Sequence, residues 1–194
     1  MGHREQLLDG AKRCLLEKGF ARTTARDIVA ASGTNLGSIG YHFGTKDALM
    51  NAALMQATED WGTQLERVVA EHVNPADTPL QRFESAWTRV IEMFEEHRAL
   101  WVAQFEVFGH LRHSPELRPF FSEAQESARH GLATMLRLVA PDSDAESART
   151  VGSFTLAILT GVVAQWLVDP ERTPNGRDLA DAIRMIAGIQ VPVA

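Results

Sequence analysis

The chain has 194 residues, 45% of them hydrophobic and 23% charged, which is enough apolar material for a buried core and too much for a disordered chain. Its lone Cys14 excludes an internal disulfide and fits a reducing compartment, and the opening MGHREQLLDGAKR carries charges where a signal peptide needs an apolar run. The net charge of −6 is unevenly placed: residues 1–50 hold seven Lys/Arg and five acids, whereas residues 51–194 hold twelve Arg, no Lys and twenty acids. A slightly basic head on an acidic body suggests an interaction module on a carrier.

In chain order, apolar residues at Leu7, Leu8, Ala11 and Leu15 predict a helix over 4–18, stopped by Gly19. Thr24 can cap a second helix, Ala25 to Ala31, ended by Ser32-Gly33. A third short helix fits Leu36 to Phe43, with Thr34 or Asn35 as its cap. Gly44-Thr45 breaks the chain, and Thr45 caps a long helix from Lys46 to about His72. Further helical patterns follow at about 79–97, 99–111, 115–139, 144–168 and 176–188, with Pro115, Pro141, Pro170 and Pro174 at or near their junctions. Alternating strand patterns are nearly absent. The expected fold is all-α: an N-terminal three-helix head, then a C-terminal bundle of about six helices.

The stretch TNLGSIGYHFGTKDAL poses the main functional question. Gly33, Gly37 and Gly40 admit a nucleotide-binding reading, in which backbone N–H groups approach a pyrophosphate. That reading needs a preceding strand, but ARDIVAAS is capped and spaced as a helix. Two short helices joined by a turn at Gly33 instead form a helix-turn-helix over about 24–43, whose second helix enters a DNA major groove. Each interior glycine lowers helix stability by about 1 kcal/mol, and a slim face that lets the backbone approach DNA is a reason to accept it. Ser38 is a candidate for a base edge or phosphate, Tyr41 and His42 for phosphates, and Leu36 for a thymine methyl. Lys46 adds charge beside the positive end of the next helix, while Ile39 and Phe43 point inward.

The run TTARDIVAASGTNLGSIGYHFGTKDAL resembles the DNA-binding domain of the tetracycline-repressor (TetR) family of bacterial transcription regulators. Thr24, Ile28, Gly33, Gly37, Ser38, Ile39, His42, Phe43, Lys46 and Leu49 match the family pattern in kind, and the resemblance covers about residues 4–55. It departs at Asn35, where the family usually has Ser as the cap, at Thr34, at Gly40, where Tyr is frequent, and at Leu36, where a polar base-reader is common. The resemblance implies a DNA-binding domain over 1–50 and a ligand-binding and dimerisation domain over 51–194. It implies a cytoplasmic, nucleoid-associated homodimer that binds double-stranded DNA, is released by a small-molecule effector and is not an enzyme. The DNA-binding candidates are then Thr24, Asn35, Leu36, Gly37, Ser38, Tyr41, His42 and Lys46.

In the remainder, Trp87, Ile91, Phe94, Trp101, Phe105, Phe108, Phe121 and Met135 are bulky apolar side chains that serve a core or line an effector pocket between helices. Val151 to Val168 is uncharged over eighteen residues, the minimum for a membrane span, but acids flank it and polar residues dilute it. A helix apolar nearly all round in a bundle meets its own core on one face and a second subunit on the other. Phe154, Ile158, Gly161, Val162, Gln165 and Trp166 are therefore the dimer candidates, and no membrane partner is expected. Glu106, His110 and His113 share one helical face with metal-ligand spacing, but Ser114-Pro115 ends that helix at once, so neither a metal nor another cofactor is called for.

Overall fold

The computed structural model describes residues 2–110, 118–140 and 142–188, and these are helical with no strand among the described residues. The helices are α1 (His3–Lys18), α2 (Ala25–Ser32), α3 (Leu36–Phe43), α4 (Lys46–His72), α5 (Pro79–Glu92), α6 (Arg98–His110), α7 (Arg118–Met135), α8 (Ala145–Val168) and α9 (Gly176–Ile186). A 3-10 turn, Pro170–Arg172, precedes α9.

Local chemistry sets most of these boundaries. At α2, the Asp27 N–H donates to Thr24 Oγ1 at 3.2 Å and the Thr24 N–H donates back to the Asp27 carboxylate at 2.9 Å, a reciprocal cap. Lys18 beside Asp27, together with these Thr24 bonds, holds the Asp27 carboxyl well below the usual carboxylate range. Thr78 and Gln81 cap α5 in the same way, with Pro79 in its first turn, and Asn175 with Asp178 caps α9. Gly33 ends α2 at φ +67°, a left-handed conformation that side-chain-bearing residues rarely adopt.

Two predicted helices are shorter in the structure. The expected 79–97 helix stops at Glu92, and α6 starts afresh at Arg98. Met93 and Phe94 stay buried through the intervening turns, so the apolar periodicity runs on after the helix has ended. The expected 115–139 helix stops at Met135, where Arg137 takes φ +55°. That conformation costs a non-glycine residue about 1–2 kcal/mol. It is held by hydrogen bonds at both ends: Arg137 donates to the Val73 carbonyl at 3.1 Å, and Arg82 donates to the Arg137 carbonyl at 2.9 Å. Pro115, Pro141 and the start of the predicted 115–139 helix lie outside the described residues.

The chain folds as two units. The first comprises Met1–Thr63 and His97–Glu116, so α6 belongs with α1, α2, α3 and the leading part of α4. Leu7, Leu15, Ile28, Leu49, Met50 and Leu100 are fully buried in its core. The Trp61 and Trp101 rings meet edge to face at 4.8 Å, and Gln104 donates to Thr58 Oγ1 at 3.1 Å. Glu106 accepts the backbone N–H groups of Phe20 at 2.9 Å and Ala21 at 3.2 Å, tying α6 to the α1–α2 turn. Cys14 is buried here, and burial pushes its thiol pKa up.

The second unit comprises Gln64–Glu96 and Leu117–Ala194. Trp87 and Phe94 are fully buried, and the Phe94 ring meets Trp166 at 5.5 Å. Its helices approach closely where glycines leave room. A Cβ on Gly152 of α8 would collide with the Arg129 carbonyl oxygen of α7, and one on Gly176 would collide with Thr88 and the Glu84 carbonyl of α5. Glu126 bridges α7 and α8 by accepting from Arg149, with Arg129 also paired to it. These guanidinium groups, Arg149 foremost, hold the Glu126 carboxyl down at about 2.

Candidate nucleic-acid interface

The turn between α2 and α3 is built from short-range bonds. Beyond the left-handed Gly33, Thr34 and Ser32 share a hydroxyl–hydroxyl hydrogen bond of 2.7 Å. Asn35 Oδ1 accepts the Ser38 N–H at 3.1 Å and opens α3. The C-terminal end closes at Gly44, whose N–H donates to the Gly40 carbonyl at 3.1 Å. Ile39 is buried and holds α3 inward, whereas Phe43 is half-buried with the Arg4 guanidinium 5.2 Å above its ring centre.

Outward, α3 presents Leu36 (53% exposed), Gly37, Gly40 and Tyr41 (86% exposed). A Cβ on Gly40 would find no atom within 4 Å. His42 is half-buried with its ring edge to face with Tyr41 at 4.8 Å. Thr24 is exposed, and its hydroxyl is engaged with Asp27 in the α2 cap. Two expected contacts are placed otherwise. Ser38 is only 8% exposed and turns into the head, because its position on α3 lies opposite the Gly37–Gly40 strip. Lys46 folds back: its ammonium donates to the Thr23 carbonyl at 3.3 Å, pairs with Asp47 at 3.0 Å and lies over the Phe20 ring. The exposed cations Arg4 and Arg26 were not singled out, although the cluster of Lys/Arg in residues 1–50 was the signal that could have found them.

The eight pocket candidates are divided between the units. Trp101, Phe105 and Phe108 lie in the first, and Phe105 meets Phe108 edge to face at 5.9 Å. Trp87, Ile91, Phe94, Phe121 and Met135 lie in the second. Trp87, Phe94 and Trp101 are buried, and the other five are half-buried. The Trp87 indole N–H has no hydrogen-bond partner among the described residues.

On α8, Phe154, Gly161 and Gln165 face outward and Ile158 is half-buried. Val162 and Trp166 do not share that face: they are 3% and 6% exposed and pack into the unit's own core, Trp166 against Phe94. The helix Ala145–Val168 is long and apolar enough to cross a membrane, and a third of its most apolar window is buried within the fold. Of the suggested metal group, His113 and the His110 side chain lie outside the described residues, and Glu106 is engaged with the α1–α2 turn. The nucleotide reading fails on its context, because the helix α2 precedes the glycines where a strand is required.

A capped helix, a left-handed glycine turn and a short helix with a bare outward face define a helix-turn-helix protein. Residues 7–53 match the family model for bacterial regulatory proteins, tetR family, and residues 78–188 match that for the tetracyclin repressor-like C-terminal domain. The chain belongs to the TetR family. It is similar to the HTH-type transcriptional repressor Rv1474c of Mycobacterium tuberculosis, 45% identical over 56 residues, 29% of this chain and 30% of that one. It is also similar to the HTH-type transcriptional repressor KstR2 of Rhodococcus jostii, 31% identical over 107 residues, 55% of this chain and 50% of that one. The chain thus spans about a third to a half of the length of these curated relatives. Among solved structures, the multidrug binding protein EbrR complexed with imidazole is 30% identical with a TM-score of 0.64, covering 98% of this chain and 92% of that one.

Proposed function

We propose that this protein is a ligand-responsive repressor of transcription that binds a roughly palindromic operator as a homodimer in the bacterial cytoplasm, on the nucleoid. The outward face of α3 carries the reading: an exposed, glycine-lined helix in a TetR-family head, with open space beside Gly40. Residues 1–50 serve as the DNA-binding domain and 51–194 as the effector and dimer domain, although α6 and the leading part of α4 fold with the head. Leu36, Gly37 and Tyr41 meet the groove, with Thr24, Asn35 and His42 at its edges. Lys46, Arg4 and Arg26 add positive charge around it. Ser38 is left out because the residue is only 8% exposed and lies off the outward arc of α3.

Dimerisation is assigned to the outward stripe of α8, where Phe154, Ala157, Gly161, Gln165 and Val168 recur at helical spacing, together with the exposed Met185 and Ile186 of α9. A two-fold pair sets the recognition helices about 34–36 Å apart, on successive turns of the duplex. The effector is small and apolar or amphipathic, and it uses the aromatic side chains of the second unit, Trp87, Phe94 and Phe121. This is supported by EbrR, described as a multidrug binding protein and also solved with ethidium. An effector with a hydrogen-bond acceptor would engage the unpartnered Trp87 N–H. Effector binding shifts the dimer toward a head spacing unsuited to the duplex, with α4 as the lever.

The test is fluorescence anisotropy with genomic duplex fragments at low salt, alongside sedimentation of the free protein. The expected result is a dimer that binds a subset of fragments with an affinity falling steeply as salt rises. A monomer that ignores every fragment would overturn the proposal.

A further inference from the structure

Resting on the reading above, we propose that the recognition helix reads its operator chiefly through thymine methyl groups, with Leu36 as the specificity-determining contact and the Gly37–Gly40 strip setting how deep it reaches. At about 100° per residue, Leu36, Gly40, Gly37 and Tyr41 follow one another across an arc of about 140° of α3. The two glycines lie in the middle of that arc, and the exposed Leu36 and Tyr41 are its flanks. The opposite side carries Ser38 and Ile39, both buried, and the half-buried His42.

Nothing inside the fold asks for glycine at position 40, since a Cβ there would meet open space. The saving is made on the outer side. Along a glycine strip a partner can approach the backbone cylinder of about 2.3 Å radius, where an ordinary helix is padded by side chains to about 5–6 Å. Leu36, at the start of the helix, is thereby carried to the base edges, which is where the N-terminal residues of a recognition helix work.

The hydrogen-bonding inventory of this face is sparse. Within the arc the Tyr41 hydroxyl is the one polar side-chain group, and its flank position suits a phosphate at the groove wall. Ser38 is only 8% exposed and lies off this arc, and the Thr34 hydroxyl is paired with Ser32. Asn35, whose Oδ1 is committed to the Ser38 N–H, leaves its NH2 donors at the cap, before the first residue of the arc. With an apolar reader and no donor–acceptor pair along the arc itself, the centre of this face has no side-chain group for the polar code of guanine, adenine or cytosine, and Asn35 reaches only its edge. The apolar feature the major groove offers is the thymine C5-methyl group.

The experiment selects a binding duplex from a random library, then replaces each thymine of one half-site in turn with deoxyuridine, which removes the methyl and keeps the base pair. Binding should weaken about four-fold for each contacted methyl removed, the factor equivalent to burying one methyl-sized group. The Leu36→Ala protein should bind thymine and uracil duplexes equally. Gly40→Ala, which has room for its methyl inside the fold, should remain folded by circular dichroism and bind every duplex about ten-fold more weakly. Equal binding of thymine and uracil duplexes by the unaltered protein, or a uracil penalty that survives in Leu36→Ala, would overturn the inference while leaving DNA binding intact. If no duplex is selected at all, the DNA-binding reading falls and the inference falls with it.

Discussion

Glycines in the two units are bare for opposite reasons. In the second unit, Gly152 and Gly176 are buried, and an added methyl would strike the backbone of α7 or α5. In the head, Gly37 and Gly40 are exposed, and Gly40 faces nothing. The first pair is explained by the fold that contains it, through close helix packing. Gly37 keeps clear of the Asn35 cap oxygen, 3.2 Å from where its Cβ would be, but Gly40 weakens its own helix without an internal return, so its reason lies in a partner outside the chain. Exposure, rather than residue type, separates a packing glycine from an interface glycine.

The largest expected effect breaks the packing side of that contrast. Gly152→Ala should destabilise the protein by about 3 kcal/mol, because backbone rather than a movable side chain occupies the space. Urea unfolding measures it, and an unchanged midpoint would mean that α7 and α8 are not in this contact. A smaller loss, about 1–2 kcal/mol, is expected for Glu106→Ala, which strips the acceptor from the Phe20 and Ala21 N–H groups in a half-buried site. Hydrogen exchange at those two amides should rise in the same variant, and protection left intact would remove the carboxylate from its role.

On the interface side the sign reverses. Gly40→Ala should raise stability by up to about 1 kcal/mol, since alanine is the better helix former and its methyl meets no atom. A lower melting temperature would show that the glycine serves the fold after all. The smallest effect is electrostatic and sharpens the reading of the α7–α8 contact. Glu126 is held at about 2 against an ordinary 4.5, so its stabilisation is present above 4.5 and is lost as pH falls through about 2. The melting temperatures of the unaltered protein and Glu126→Gln should therefore differ at neutral pH and converge on acidification. Added salt should narrow the gap as well, because the group is solvent-facing.

Much of the head was readable because its signals are local. Gly19, Thr24, Gly33, Asn35 and Gly44 act on groups within four residues of themselves, and the structure uses each as a cap or a turn. The ends of α5 and α7 were overrun for a related reason. Apolar spacing continues through Met93 and Phe94, and Arg137 occupies a left-handed position where a glycine would have announced the stop. Distant partners gave no such warning. That Glu106 serves the α1–α2 turn depends on residues more than eighty positions apart.

Composition, spacing and capping by themselves determined an all-helical chain with a helix-turn-helix at its front, because these follow from interactions within one or two turns. Tertiary structure alone decided which way several side chains look. Around α8 both halves are apolar, so periodicity separates Phe154, Gly161 and Gln165 from Val162 and Trp166 without saying which set is inside. Packing against Phe94 settles that choice, as the burial of Ser38 settles the face of α3, and neither neighbour is visible in the local pattern.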